Sequence, residues 1–159
     1  MKIFVDTEFT DLYSPALISI GFAAESGADL YIEIAADPTG TTGWVPAQCS
    51  AFVRKVVLPL LEGGRVACSR QAASERSLAW LEGFPEPIEL VSDSAVDFHL
   101  LYDLWQRPRR PYNFSGELLE AVPEGPRSRH PARRDLRPHH ALDDAIALRR
   151  LAQVLAPQR

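Results

Sequence analysis

The sequence is poor in cysteine and has no long apolar run. Its two cysteines, Cys49 and Cys68, show neither metal-ligand spacing nor a disulfide framework, which favours a reducing, cytoplasmic environment. No apolar stretch approaches the roughly 20 residues of a membrane helix, and the opening run is too short for a signal peptide. No Gly-x-Gly-x-x-Gly follows a predicted strand, which argues against a dinucleotide-binding enzyme.

The chain also lacks an overall excess of positive charge, because its net charge is −4. The charge is unevenly distributed: residues 107–137 carry eight arginines and four acids, and the rest of the chain has a balance of −8. A basic segment on an acidic body can attract a polyanion locally, so nucleic acid stays among the candidate partners. We expect one domain over residues 1–159, with a mobile Arg/Pro-rich segment at about 107–138.

Hydrophobic patterning predicts an α/β fold with a mixed sheet. Ser26-Gly27 separates two apolar runs as a hairpin turn, so the second and third strands should be antiparallel. Strands are predicted at residues 2–6, 17–24, 30–34, 88–91 and 112–114, and helices at 46–60, 70–82, 94–106 and 141–155, with a short helix near 117–122. A hairpin meander followed by alternating helices and strands indicates helices packed on a mixed sheet.

The first predicted strand ends in two acids, Asp6 and Glu8. Because strand side chains alternate, both carboxylates should lie on the same face of the sheet, where they repel each other. A divalent cation such as Mg²⁺ or Mn²⁺ between them would relieve that repulsion. An ordinary strand end that exposes its acids to solvent explains the pair equally well.

A second candidate acid, Asp97, lies in the helix after the fourth predicted strand. It shares a helix face with Leu101 and Leu104, which should pack on the sheet. A carboxylate on that face is costly without a partner, so a functional role is favoured. Asp93 or Ser92 is predicted to cap the start of this helix.

A third polar cluster opens the last predicted helix. Asp144 falls on its apolar stripe, whereas Asp143 falls on a more exposed face, where interaction with the helix dipole explains it. His139 precedes the inward acid by five residues and becomes a candidate general base, because an imidazole titrates near neutral pH. His140 is the alternative base.

The three clusters together form an ordered set: Asp6-x-Glu8, Asp97 and His139-x-Ala141-x-x-Asp144. This set resembles the DEDDh 3′-5′ exonucleases, which include the proofreading exonuclease of replicative polymerases, ribonuclease T and oligoribonuclease. The opening Asp-Thr-Glu-Phe also looks like that of small single-domain bacterial exoribonucleases. The resemblance covers the whole chain.

The resemblance implies a ribonuclease-H-like fold, with a five-stranded mixed sheet whose first three strands are antiparallel and whose faces are flanked by helices. It also implies two divalent metal ions, Mg²⁺ or Mn²⁺, held by Asp6, Glu8, Asp97 and Asp144. His139 would be the general base, and His140 is disfavoured because its spacing to Asp144 does not fit the motif.

The resemblance further implies a nucleic-acid substrate, single-stranded or with a 3′ overhang, and RNA is favoured. Thr10 and Leu12 fall where the family contacts the terminal nucleotide, although Asp11 stands where the family often has glycine. Arg137 is expected to meet a phosphate, and a position in a solvated loop explains it almost equally well. A homodimer is expected from the same resemblance. The alternatives are a DNA proofreading or repair exonuclease and a noncatalytic binding module with the same fold.

Overall fold

The computed structural model describes residues 1–106, 114–118 and 134–155. In chain order, the strands are β1 (Lys2–Phe9), β2 (Leu17–Ala24), β3 (Asp29–Ile34), β4 (Ala67–Cys68), β5 (Ile88–Ser92) and β6 (Phe114–Leu118). The α-helices are α1 (Arg70–Glu82), α2 (Ala95–Trp105) and α3 (Ala141–Leu155).

The strands form one mixed sheet in the order β4-β3-β2-β1-β5-β6. β1, β2 and β3 are antiparallel neighbours, and β5 runs parallel to β1. The predicted α/β class and the antiparallel meander are therefore confirmed. The two-residue strand β4, parallel to β3, is an addition to the five predicted strands, and it is too short to leave a periodic signal in the sequence.

Two predicted elements differ from the structure. The helix predicted at 46–60 is a 3₁₀ turn at Pro46–Gln48, a π-helical turn at Val53–Val57 and a second 3₁₀ turn at Leu58–Leu60. Pro59 lacks an N–H and cannot continue a regular helix, which accounts for the tight final turn.

The last strand was predicted at 112–114 and is found at Phe114–Leu118. The helix considered near 117–122 is therefore wrong at its first two residues, and its remainder lies outside the described residues. Most of the segment predicted to be mobile lies outside them as well.

The sheet is covered on both faces. The larger core packs apolar residues of the strands, such as Ile3 and Val5, against α1 and α2. On the opposite face, Phe4 packs against Ala145 and Leu148 of α3. Alternation along β1 thus directs Phe4, and with it Asp6 and Glu8, toward the α3 face.

The pairing of β1, β2 and β3 aligns two rows of residues on this α3 face. Asp6 pairs with Gly21 and Gly21 with Tyr31; two residues further along, Glu8 pairs with Ser19 and Ser19 with Glu33. The sheet therefore presents acids on β1 and polar groups on β3, separated by the small residues of β2.

Gly21 allows the start of α3 to lie directly on the sheet. A Cβ at this position would lie 2.3 Å from the carbonyl oxygen of Ala141 and 2.4 Å from the Cα of Leu142. Both distances are shorter than van der Waals contact, so only glycine fits here. The approach places the first turn of α3 directly over the row that contains Asp6.

No helix in the described part of the chain is long and apolar enough to span a membrane.

Candidate active site

The predicted acids of all three clusters line one cavity of about 560 Å³. β1 contributes Asp6 and Glu8, the first turn of α2 contributes Asp97, and the first turn of α3 contributes Asp144. The other described residues that line it are Thr7, Phe9, Asp11, Leu12, Tyr13, Ser50, Phe52, Val53, Asp93, Ser94, Pro138, His139 and Leu148. We call the group of Asp6, Glu8, Asp93, Asp97 and Asp144 the acid pocket.

Asp97 reaches the pocket because β5 pairs with β1 only over residues 2–4. The part of β1 beyond this pairing is open to the start of α2, and the backbone N–H and hydroxyl of Thr7 donate to Asp97 Oδ1 at 3.1 and 2.5 Å. The hydroxyl of Ser92 donates to the other oxygen. With a side chain only 2% exposed, Asp97 is the inward acid that its place on the apolar stripe predicted.

The start of α2 corrects one prediction. The helix is capped by Ser94, whose side chain accepts a hydrogen bond from the N–H of Val96. Ser92 instead bonds Asp97, and Asp93 lines the cavity. The capping residue is thus one or two positions later than the sequence indicated, since three consecutive residues could each act as an N-cap.

His139 is presented to the cavity by a turn just before α3. Its backbone N–H donates to Asp144 Oδ2 at 2.8 Å, and its φ of 65° is in the left-handed region. The imidazole is exposed, and its ring meets the ring of Phe52 edge-on at 5.0 Å between centroids. Asp144 itself is buried.

The ligand atoms fall into two groups of three, and within each group they lie within 4.8 Å of one another. One group is Asp6, Asp93 and Asp97; the other is Glu8, His139 and Asp144. Asp93 is the member that the sequence analysis missed, because it was assigned to capping. Its spacing of four residues before Asp97 at a helix start was the available signal.

Burial and mutual repulsion raise the pKa values of the pocket carboxyl groups. Burial first, and then the charges of Asp144 and Asp97, raise the pKa of Glu8 to about 8. The pKa of Asp6 lies well above its usual range for the same two reasons. Burial raises the pKa of Asp97 to about 6, although its hydrogen bonds from Ser92 and Thr7 favour the ionised form.

This donor set fits a hard divalent cation. Carboxylate oxygens with one imidazole suit Mg²⁺ and Mn²⁺, whereas soft metals prefer thiolates. A cation placed among these groups would offset the repulsion that raises the pKa values of Asp6 and Glu8. The start of a helix also favours negative charge at Asp97 and Asp144, in the first turns of α2 and α3.

His140 does not line the cavity. The residue is 2% exposed, and its ring stacks on Tyr31 at 4.4 Å between centroids, with Nδ1 accepting from the N–H of Asp143 at 3.4 Å. Nε2 lies 3.4 Å from Glu62 Oε1 without making a hydrogen bond. Burial, and then the charge of Arg137, lower the pKa of His140.

Asp143 corrects the prediction that it lies on an exposed face. It is 8% exposed, and its Oδ2 accepts from the backbone N–H and Nε of Arg137 at 2.9 and 2.7 Å. Burial raises the pKa of Asp143, but the hydrogen bonds from Arg137 outweigh this and leave it below its usual range. Helical spacing could not reveal this partner, because Arg137 precedes the helix.

The three residues predicted to contact nucleic acid, Thr10, Leu12 and Arg137, differ in their exposure and in their hydrogen bonds. Leu12 is 79% exposed at the cavity. Thr10 is buried, and its hydroxyl accepts from the N–H of Ala16 at 3.0 Å, so its position supports a role in closing the loop. The guanidinium of Arg137 bonds Asp143 and, at 3.1 Å, Glu62.

No protein-family model matches the chain, and no curated protein matches it. Among solved structures, it is similar to S. pombe Pop2p in a form with Mg²⁺ and Mn²⁺ bound. The TM-score is 0.64 at 15% sequence identity, and the match covers 95% of this chain and 81% of that one. The likeness shows a shared fold and confirms the ribonuclease-H-like α/β architecture.

Proposed function

We propose that this chain is a metal-dependent 3′-5′ exonuclease that releases nucleoside monophosphates from a 3′ end, with RNA as the favoured substrate. The observation that carries the proposal is the convergence of Asp6, Glu8, Asp97, Asp144 and His139 on one cavity. These residues come from three distant parts of the sequence. If Asp6 and Glu8 were only the solvent-exposed end of a strand, Asp97 and Asp144 would have no reason to lie beside them. The similarity to a Mg²⁺- and Mn²⁺-bound structure supports the same conclusion.

Two divalent ions, Mg²⁺ or Mn²⁺, would be held by Asp6, Glu8, Asp97 and Asp144, with Asp93 close to the first group. Such ions would draw negative charge from the phosphate and from the attacking and leaving oxygens. The residues contribute fixed positions: Thr7 and Ser92 orient Asp97 by hydrogen bonds, and the His139 N–H orients Asp144. Oriented ligands bind a cation with less reorganisation.

His139 is proposed as the general base. Its imidazole is exposed at the cavity and lies close to Glu8 and Asp144. It would accept a proton from the attacking water as the water oxygen bonds to phosphorus. In the same displacement the bond from phosphorus to the 3′ oxygen of the preceding nucleotide breaks. That oxygen takes a proton from solvent, which leaves a nucleoside monophosphate and a new 3′-hydroxyl. His140 is buried against Tyr31 and has no comparable access to the cavity.

The preference for RNA comes from the family resemblance. A matched pair of single-stranded RNA and DNA oligonucleotides, labelled at the 5′ end and incubated with Mn²⁺, tests it. We expect stepwise shortening from the 3′ end, faster on RNA. Preferential trimming of DNA would identify a DNA exonuclease instead.

The assignment of the site is tested with the Asp6→Ala/Glu8→Ala double variant. We expect it to lose all detectable shortening while its circular dichroism spectrum is unchanged. The matched control is Asp103→Asn, which removes an exposed carboxylate that bonds Arg70. Wild-type activity in the double variant would refute the catalytic proposal. If the wild type and both variants bind nucleic acid but show no activity, the chain is a noncatalytic binding module.

A further inference from the structure

The turn that presents His139 is not anchored by burial of the imidazole itself. The imidazole is exposed, and the φ of 65° is rare for a residue with a Cβ. Such a conformation persists where neighbouring contacts determine it. Among the described residues, Asp144 accepts from the His139 N–H, the Phe52 ring meets the imidazole edge-on, and Arg137 two residues earlier bonds Asp143.

Arg137 joins this turn to two other parts of the molecule. Its backbone N–H and Nε donate to Asp143 Oδ2 in the first turn of α3, at 2.9 and 2.7 Å. Its Nη2 donates to Glu62 Oε1 at 3.1 Å and lies 3.3 Å from His140 Nδ1. A planar guanidinium that bonds two carboxylates holds both in a defined geometry, which a lysine could not reproduce.

Glu62 is itself fixed to the central sheet. Its N–H and the N–H of Gly63 donate to the two carboxylate oxygens of Glu33 at 2.5 and 2.9 Å. Glu33 is a buried residue of β3, and the hydroxyl of Tyr31 donates to it at 2.9 Å. The contacts from Arg137 to β3 therefore run beside the acid pocket without including any of its carboxylates. We call Glu33, Glu62, Arg137, His140 and Asp143 the Arg137 cluster.

We propose that Arg137 is a positioning residue, which holds the His139 turn at the acid pocket through Glu62 and Asp143. This role rests on the proposed function, in which His139 is the base. It is an alternative to the expectation that Arg137 contacts a phosphate, and it accounts for the hydrogen bonds that the Arg137 guanidinium makes to Asp143 and Glu62. We call the hydrogen bonds from Arg137 to Glu62 and Asp143 the bridge. Its loss would displace the His139 imidazole and slow the chemical step without weakening substrate binding.

The test compares Arg137→Ala, Arg137→Lys and Glu62→Ala with Asp103→Asn, the matched loss of an exposed ion pair. On single-stranded RNA with Mn²⁺, we expect kcat to fall roughly 10- to 100-fold in Arg137→Ala, as for other residues that orient a catalytic group. Arg137→Lys should recover part of this loss, KM should change less than about twofold, and Asp103→Asn should behave as wild type. Combining Glu62→Ala with Arg137→Ala should add little, because both remove the same bridge.

A second readout follows His139 without any turnover. Its imidazole resonances in metal-free protein, assigned with a His139→Gln variant, should shift in Arg137→Ala and in Glu62→Ala but not in Asp103→Asn. If Arg137→Ala fails to fold, the lysine variant and Glu62→Ala supply the same comparison.

Two results would overturn the proposal. One is a raised KM with a shallower salt dependence and an unchanged kcat, which is the behaviour of a phosphate contact. The other is unchanged His139 resonances in both bridge variants. If the wild type shows no nuclease activity, the proposed function fails, but the resonances still decide whether Arg137 positions the turn.

Discussion

The acid pocket and the Arg137 cluster lie on either side of β2 on the same face of the sheet, yet their electrostatics are opposite. Asp6 and Glu8 on β1 lie close to other carboxylates, and their pKa values are raised. Across β2, Glu33 accepts hydrogen bonds from backbone N–H groups, and Asp143 bonds Arg137 and has a lowered pKa. The fold therefore pairs Glu33 and Asp143 with hydrogen-bond donors, whereas Asp6 and Glu8 are left with a charge repulsion that a bound cation would relieve.

Asp143 and Asp144 show this difference in two consecutive residues. Both are buried in the first turn of α3. One accepts from Arg137 and serves the fold, whereas the other lies beside Glu8 and faces the cavity. Burial of an acid therefore does not identify a functional residue here; the charge of its neighbours does.

The largest expected effect separates these two acids. Asp144→Asn should lower kcat on the order of 1,000-fold, because it removes a charge from the acid pocket while keeping an oxygen that can accept from His139. Asp143→Asn should lower it far less, through the position of the turn. Single-turnover assays with saturating Mn²⁺ measure both. Equal losses would mean that the two regions are not functionally distinct.

The next effect separates the two histidines. His139→Ala should lose roughly 100-fold in kcat and retain Mn²⁺ binding, because it removes the proposed base but none of the carboxylates. His140→Ala should chiefly lower the thermal unfolding temperature, since its ring is buried on Tyr31. If His140→Ala removes turnover at full stability, the base has been misassigned.

Metal binding should depend on pH in the range where the pocket carboxyl groups titrate. Cations compete with protons for Asp97, whose pKa is about 6, and for Glu8, whose pKa is about 8. We therefore expect affinity for Mn²⁺ to rise between pH 6 and about 8, measured by calorimetry. Addition of EDTA should abolish nuclease activity and excess Mn²⁺ should restore it. A pH-independent affinity would contradict the raised pKa values.

The smallest effect is on the stability of the metal-free protein. Glu8 has an ordinary pKa of 4.5 and a pKa of about 8 in the fold, so above pH 4.5 the folded state retains a proton that the unfolded chain releases. Stability contributed by this group is thus present at low pH and lost as the pH rises toward 8. Glu8→Gln should raise the unfolding temperature by about 2–4 °C at pH 8 and change little at pH 4.5.

Asp143→Asn provides the opposite control. In the wild type, the pKa of Asp143 is lower in the fold than in the unfolded chain, so its ionised carboxylate stabilises the fold above its usual titration range. This contribution is lost on acidification. The variant should therefore unfold at a lower temperature than wild type at pH 8. If both variants shift in the same direction at this pH, the electrostatic contrast between the two regions is wrong.

Much of the fold could be predicted because local patterns agreed with it. The helices at 70–82 and 141–155 were located to the residue. The second has a strong apolar stripe; the first has a weaker one, and Ser69 caps it. The irregular turns over 46–60 could not be, because their apolar spacing is nearly that of an α-helix. Strand β4 is defined by its neighbour β3 rather than by its own two residues.

The acids of the site could be predicted by asking which of them lie on apolar faces. This reasoning found Asp97 and Asp144 but gave Asp93 a capping role and Asp143 an exposed one. It could not find the Arg137 cluster, because the contacts between Glu33, Glu62 and Arg137 join residues about 30 and 75 positions apart. Side-chain periodicity within one element carries no information about such pairs.

The start of α3 lies directly on Gly21, so the absence of a side chain at this position sets the width of the cavity. Asp6 belongs to β1, whereas Asp144 belongs to the first turn of α3 and His139 to the turn before it. The contact between α3 and Gly21 therefore sets the distance between Asp6 and the other two residues. In Gly21→Ala, the added methyl group would push α3 away from β2 and would change none of the proposed metal ligands. The proposed site is thus sensitive to added side-chain volume at Gly21, a residue that does not line the cavity.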